Sequence, residues 1–258
     1  MKLFLLGATG NSGRRILRFA LERGHEVTAF VRNQSKLAEI LGRGLPKGLH
    51  VIVGDIDKSA QLAGAMVGHD VIINAAGHVT EGDRFTRLVQ NVIQQTSNSL
   101  GAGSRLWQFG GAAVLDIPGA DLKGVDLPMV PKVYEAHRTN LNTLTKSLSD
   151  WSMLCPGPMI EARNGEPTKG LRLSVDQWPV QRPGCTHFLP NVALAFAFKQ
   201  KLPELTISYE DAADVILNNL DRGGRFSHRR VGVALPVGLR NIKAESLRND
   251  RESLTAVA

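Results

Sequence analysis

The sequence predicts a doubly wound α/β fold: a parallel sheet with helices on both faces and a small insertion after the sixth strand. Three observations carry this. Short apolar runs recur along the chain with helix-periodic segments between them. The runs are almost continuously apolar, as strands covered on both faces must be. Many of the 26 glycines stand where such a run stops, the punctuation of strand–helix alternation.

In chain order, 2–6 is the first strand, followed by a helix over 14–22. Strands follow at 26–31, 50–53, 70–74, 105–109 and 151–155. The helix over 83–100 is the clearest, with Phe85, Leu88, Val89, Val92, Ile93, Thr96 and Leu100 on one stripe at the i, i+3, i+4, i+7 spacing of a core-facing helix. Two stretches break the rhythm: 110–132, rich in Gly, Pro and Asp, and 163–205, which carries Trp178, Pro179, Pro183, Pro190 and an apolar run over 192–198. Both leave the carboxyl edge of the sheet, where open α/β sheets bind ligands, so they are the expected substrate walls. The expected organisation is one domain over 1–235, with 163–205 as its substrate-side insertion, and a weakly patterned tail over 236–258.

Composition narrows the function classes. With 258 residues, 43% hydrophobic and 21% charged, the chain reads as globular and soluble. No apolar stretch approaches the roughly 20 residues of a membrane span. The opening apolar run ends at Gly7, short of the about 7–15 residues of a secretory h-region. Two cysteines, Cys155 and Cys185, give neither a disulfide framework nor metal-ligand spacing, so no metal is expected and the chain suits a reducing cytoplasm. The balance of 31 basic to 24 acidic residues, net +7, is spread along the chain without a nucleic-acid motif. A phosphate-bearing small molecule fits that charge better.

The first strand runs into Gly7-Ala8-Thr9-Gly10-Asn11-Ser12-Gly13, a G-x-x-G-x-x-G loop that opens a helix. Glycines let the backbone turn tightly and let a pyrophosphate approach, and the helix N-terminus then receives its charge. Gly7, Thr9, Gly10, Asn11, Ser12 and Gly13 are therefore candidate cofactor residues. Nineteen residues after Gly13, where an acid would select the ribose 2′-hydroxyl of NAD, stands Arg32, with Lys36 one turn further on. Two bases there favour the 2′-phosphate of NADP(H). Asp55 and Ile56 after the third strand, and Ala75, Ala76 and Gly77 after the fourth, are expected to flank the adenosine.

These segments, with Trp151-Ser152-Met153-Leu154-Cys155-Pro156-Gly157 and Ile207-Ser208-Tyr209-Glu210-Asp211-Ala212-Ala213, resemble the atypical short-chain dehydrogenase/reductases. The likeness is to their NAD(P)H-binding, NmrA-like branch, which includes flavin reductases of the biliverdin reductase B type. The resemblance implies a Rossmann fold, an NADP(H) cofactor and Gly110 and Pro156 beside that cofactor. Classical members of the wider family carry a serine after the fifth strand and Tyr-x-x-x-Lys on the next helix. Here the serine is missing and the helix reads Tyr134-Glu135-Ala136-His137-Arg138. Helical spacing would put Tyr134, His137 and Arg138 on one face. Arg138 would supply the ribose cation, with His137 a rival for the lysine's place, and Tyr134 or His137 would be the proton donor. Alternatively Tyr134 merely packs under the 110–132 loop, and His137 is a partly exposed polar residue.

An incomplete proton relay favours acceptors that take hydride onto a delocalised system, such as flavin, quinone or enone, with Trp178 as a stacking wall. The expected activity is NADPH-dependent reduction of such a small acceptor by a monomer or homodimer. The alternatives are a non-catalytic NADP(H) sensor and an isomerase or dehydratase that uses bound nicotinamide.

Overall fold

Each apolar run becomes a strand within a residue of its expected place. In chain order the elements are β1 (Lys2–Leu6), α1 (Asn11–Glu22), β2 (Glu26–Val31), α2 (Gln34–Leu41), β3 (Leu49–Val53), α3 (Ser59–Met66), β4 (Val71–Asn74), α4 (Asp83–Leu100) and β5 (Arg105–Phe109). Then come α5 (Glu135–Leu144), β6 (Asp150–Cys155), β7 (Met159–Ile160), β8 (Arg172–Val175), α6 (Asn191–Leu205), β9 (Ile207–Ser208), α7 (Tyr209–Leu217) and β10 (Arg229–Ala234). This computed structural model describes residues 1–42, 44–128, 130–181 and 191–241, so Pro183, Cys185, Pro190 and the tail beyond 241 lie outside it.

Among the described residues the main sheet has the order β3-β2-β1-β4-β5-β6-β10-β8. All its pairings are parallel except β10 with β8. β1 is central and alternates between two cores. Phe4 and Leu6 face the layer containing Leu62, Val89 and Leu141, from α3, α4 and α5. Leu3 and Leu5 face the layer containing Ile16 and Ile216, from α1 and α7. Six residues of the α4 stripe are buried, and Leu100 at its end is partly so. At about 1.5–3 kcal/mol for each large apolar side chain removed from water, this stripe is what seats α4 on the sheet.

Four features differ from the sequence reading. α1 begins at Asn11, not 14, because Gly10 takes the extended N-cap conformation and Gly13 already lies inside the helix. β10 adds a strand beside β6 that its opening Arg229-Arg230 conceals. The 163–205 stretch is partly sheet: β8 pairs antiparallel along the outer edge of β10. Residues 236–241, expected as the start of a tail, fold back so that the Asn241 amide donates to the Pro203 carbonyl at 2.9 Å.

Charge is consumed by this architecture. Arg14 and Arg15 reach Glu161, each at 2.7 Å, Arg15 also reaches Glu210 at 2.9 Å, and Arg23 pairs with Asp214. The basic face of α1 thus grips α7 and the segment after β7. Buried Arg105, 1% exposed, joins Asp150, the Ser152 hydroxyl and the Asn219 carbonyl, pinning β5 to β6 and to the turn after α7. Among the described residues no helix is long and apolar enough to cross a membrane. Nor does any group of three or more His, Cys, Asp or Glu among them sit where it could hold a metal ion.

Candidate functional site

Strand order reverses between β1 and β4, and the glycine loop fills that junction. Gly7 has φ +81°, and a Cβ there would lie 2.4 Å from the Ala75 carbonyl oxygen. A Cβ on Gly13 would lie 2.0 Å from the Gly7 carbonyl oxygen. The Gly10 amide donates to the Gly7 carbonyl at 2.9 Å, closing the turn. No side chain caps α1 and no acid occupies its first turn. The positive end of the helix is therefore open to an anion. This cradle, with no room for a side chain, fits the pyrophosphate of a dinucleotide.

Arg32 and Lys36 lie just past β2, both exposed and with no ion-pair partner among the described residues. Asn33 holds the turn between them, its Oδ1 accepting the Lys36 amide at 3.1 Å. Next to them the Gly54 amide donates to the Val31 carbonyl, and Asp55 Oδ1 accepts the Asp57 amide at 3.1 Å. The Ile56 side chain goes into the core and its carbonyl accepts from Asn91 at 2.6 Å, so Ile56 shapes the site from beneath. Ala75 and Ala76 have their amides taken by the Leu6 carbonyl and Asn74 Oδ1. Gly77, φ +88°, passes so close to Phe85 that a Cβ would meet its ring at 2.7 Å. Gly110 runs against Met153, where a Cβ would lie 2.7 Å from sulfur. Pro156 is buried, its carbonyl accepting the Ala112 amide.

The structure brings Tyr134 and His137 together and turns Arg138 away. Tyr134 sits in a 3₁₀ turn ahead of α5, so the three residues do not share one regular helical face. The Tyr134 and His137 rings stack with centroids 6.1 Å apart, and Phe85 meets His137 edge-on at 5.5 Å. Gly111 leaves the space for that imidazole, since a Cβ would lie 3.0 Å from its ring. Arg138 is bound to Asp126 and, at 3.2 Å, to Glu135, which ties α5 to the 110–132 loop.

His137 is buried, not partly exposed, and burial, with His78 nearby, pushes its pKa down to about 4. It is neutral near pH 7, so it cannot serve there as the imidazolium acid that the sequence suggested. In the unfolded chain it titrates near 6.5. Between pH 6.5 and 4 the unfolded chain binds more protons, so stability should fall as pH drops through this window, by up to about 3 kcal/mol, and be fully present above it. His137→Phe, which keeps the ring contacts, is expected to flatten this dependence in urea unfolding at pH 7 and 5. An unchanged slope would assign it elsewhere.

Trp178 is not a free stacking wall. It is 7% exposed, its indole N–H donates to the Ala112 carbonyl at 3.2 Å, and its ring lies 3.9 Å from that of Phe198. It buttresses the loop after β5 from behind. The Cys155 thiol, fully buried, is pushed up to about 12 and is no nucleophile. One contact at the cofactor loop was missed in the sequence: Asn11 Nδ2 donates to the Tyr209 hydroxyl at 3.4 Å. The Ser-x-x-Asp spacing of 208–211 could have located the start of α7, but nothing local reveals its approach to Asn11.

The profile of a family described as NAD(P)H-binding matches residues 7–182, most of the chain. This chain belongs to that NAD(P)H-binding family. Its fold is of the Rossmann type, as in an NAD(P)-binding protein of Shigella flexneri that superposes with a TM-score of 0.63. The uncharacterized protein YwnB of Bacillus subtilis is 29% identical over 187 residues, 66% of this chain and 79% of YwnB. A candidate epimerase from Bacteroides thetaiotaomicron superposes with a TM-score of 0.68 at 25% identity, over 94% of this chain and 99% of its own. A candidate NADH-flavin reductase from Streptococcus pneumoniae gives 0.65 at 23% identity, over 92% and 100%. The chain spans much less of several other curated relatives, 22–32% of their lengths.

Proposed function

We propose that the chain is an NADPH-dependent reductase that passes hydride to a small conjugated or aromatic acceptor, a flavin, quinone or enone, in the cytoplasm. The observation that carries the coenzyme choice is charge placement. Arg14 and Arg15 of α1, and Arg23 just after it, are bound to carboxylates, whereas Arg32 and Lys36 stand exposed at the end of β2 without an ion-pair partner among the described residues. A guanidinium fork and a neighbouring ammonium suit a phosphate dianion.

A nicotinamide held there would supply the hydride. Gly7, Gly10 and Gly13 admit the pyrophosphate, and Asn11 and Ser12 offer donors to it. Ala75, Ala76 and Gly77 leave the adenosine side uncluttered, and Gly110 and Pro156 hold the far wall. Tyr134 stacked on neutral His137 gives an aromatic surface with a phenol hydroxyl, and Arg138, committed to Asp126, brings no free cation to it. That arrangement suits an acceptor able to draw its proton from water. The same lack of a proton relay supports a second reading, a cofactor-binding sensor without turnover.

Titration of NADPH and NADH into wild type and Arg32→Ala tests the coenzyme choice. NADPH binding is expected to weaken about tenfold in the variant, as for loss of one charge-assisted hydrogen bond, with NADH unaffected. Equal wild-type affinities and an indifferent variant would overturn it. NADPH oxidation against flavins, quinones, enones and simple ketones tests the acceptor. Turnover of simple ketones alone would overturn the delocalised class, and binding without any turnover would establish the sensor.

A further inference from the structure

We propose that Tyr209 is a side-chain ligand of the cofactor's pyrophosphate, closing the glycine loop from the opposite wall. The inference rests on the dinucleotide reading of that loop. Asn11 opens α1, where the phosphate charge is received, and its side-chain amide donates to the Tyr209 oxygen at 3.4 Å, across 198 residues of sequence. Because the phenol oxygen is the acceptor in this bond, its own proton is directed elsewhere, and it meets no acceptor among the described residues. Phosphate oxygens only accept, so a loop that offers backbone N–H groups gains most from a further donor facing them.

The hydroxyl is also held in place, which a surface tyrosine's is not. Ser208 and Asp211 form a reciprocal capping box around Tyr209, the Asp211 amide donating to Ser208 Oγ at 2.9 Å and the Ser208 amide to Asp211 Oδ2 at 2.8 Å. β9, immediately before it, pairs with β7. The Arg15 guanidinium lies 5.4 Å from the ring centroid and is itself fixed by Glu161 and Glu210. Ring, backbone and neighbouring cation are thus set before any ligand arrives, so little side-chain entropy remains to be lost on binding. Glu161 and Glu210 offset the charge of Arg14 and Arg15, so the contribution left at this corner is directional hydrogen bonding more than net charge.

The experiment is calorimetric titration of NADPH and of NADH into wild type, Tyr209→Phe and Tyr209→His, with ligand-free thermal melts. The pyrophosphate is common to both coenzymes, so Tyr209→Phe is expected to weaken both by about the same factor, on the order of tenfold, and to leave their ratio unchanged. Tyr209→His, which keeps a ring donor, is expected to recover part of the loss. Arg32→Ala should instead change the ratio. Wild-type affinity in Tyr209→Phe, a loss confined to NADPH, or a ligand-free melt well below wild type would each overturn the assignment while leaving the coenzyme reading intact. No uptake of either coenzyme by wild type would remove both.

Discussion

Gly13→Ala is expected to abolish coenzyme uptake, with NADPH and NADH affinities both down at least about a hundredfold. The added Cβ would lie 2.0 Å from the Gly7 oxygen, 2.6 Å from its carbonyl carbon and 3.0 Å from the Ala8 Cα. All three are backbone, so no side chain can swing aside. Gly7 cannot retreat either, since the space on its own far side is closed by Ala75. The first turn of α1 must then shift away from the end of β1, carrying the loop amides with it. Overpacking of this kind costs about 1–3 kcal/mol in stability as well. Calorimetry and a thermal melt check both effects, and Gly64→Ala is the control. Gly64 lies within α3 with nothing inside 4 Å of a Cβ, so alanine there should leave binding alone and raise stability by about 0.5–1 kcal/mol. Wild-type uptake by Gly13→Ala would mean that the pyrophosphate lies elsewhere.

Arg105→Ala is expected to be the most destabilising single exchange in the sheet. Removing a guanidinium that is 1% exposed leaves Asp150 buried without its cation and strips donors from Ser152 and the Asn219 carbonyl. Breaking a buried pair from one side costs about 3–5 kcal/mol. For a chain of this size, that is roughly a 10 °C fall in Tm. Asn219 would retain the Trp107 indole N–H at 3.0 Å, so the turn after α7 should loosen and not detach. Thermal unfolding checks this, and a shift of under about 2 °C would show that Asp150 finds compensation, for instance in the Gly223 amide it already accepts.

What the sequence made legible were features set by local pattern. Apolar runs of four to six residues located β1 to β6, and the 83–100 stripe located α4 to the residue, because burial on a fixed face imposes a period. What stayed hidden were features set by distant partners. β10 opens with two arginines, and only the fold shows that Arg230 is spent on Asp116 and Asp176 while Val231 and Val233 fill the core. β8 is a four-residue edge strand of mixed polarity, too short to carry a period. At the candidate site, spacing is what singles out the glycines, Arg32 and Lys36 as candidates. The burial of His137 between Phe85 and Tyr134, and the diversion of Arg138 to Asp126, depended on which way the 110–132 loop folds.

The clasp between the first helix and the last one described has a consequence for synthesis. Arg15 finds its counter-charges at Glu161 and Glu210, and Arg23 finds its own at Asp214, up to nearly two hundred residues downstream. On the ribosome, the amino-terminal third therefore emerges with the apolar flank of its opening helix, Ile16, Leu17 and Ala20, still lacking the cover that Ala212 and Ile216 bring. Since domains fold as their segments become available, the glycine-loop end of this domain, though synthesised well before α7, is among its last parts to mature. A polypeptide arrested before residue 207 would be a client for chaperones, its opening helix uncovered on one flank.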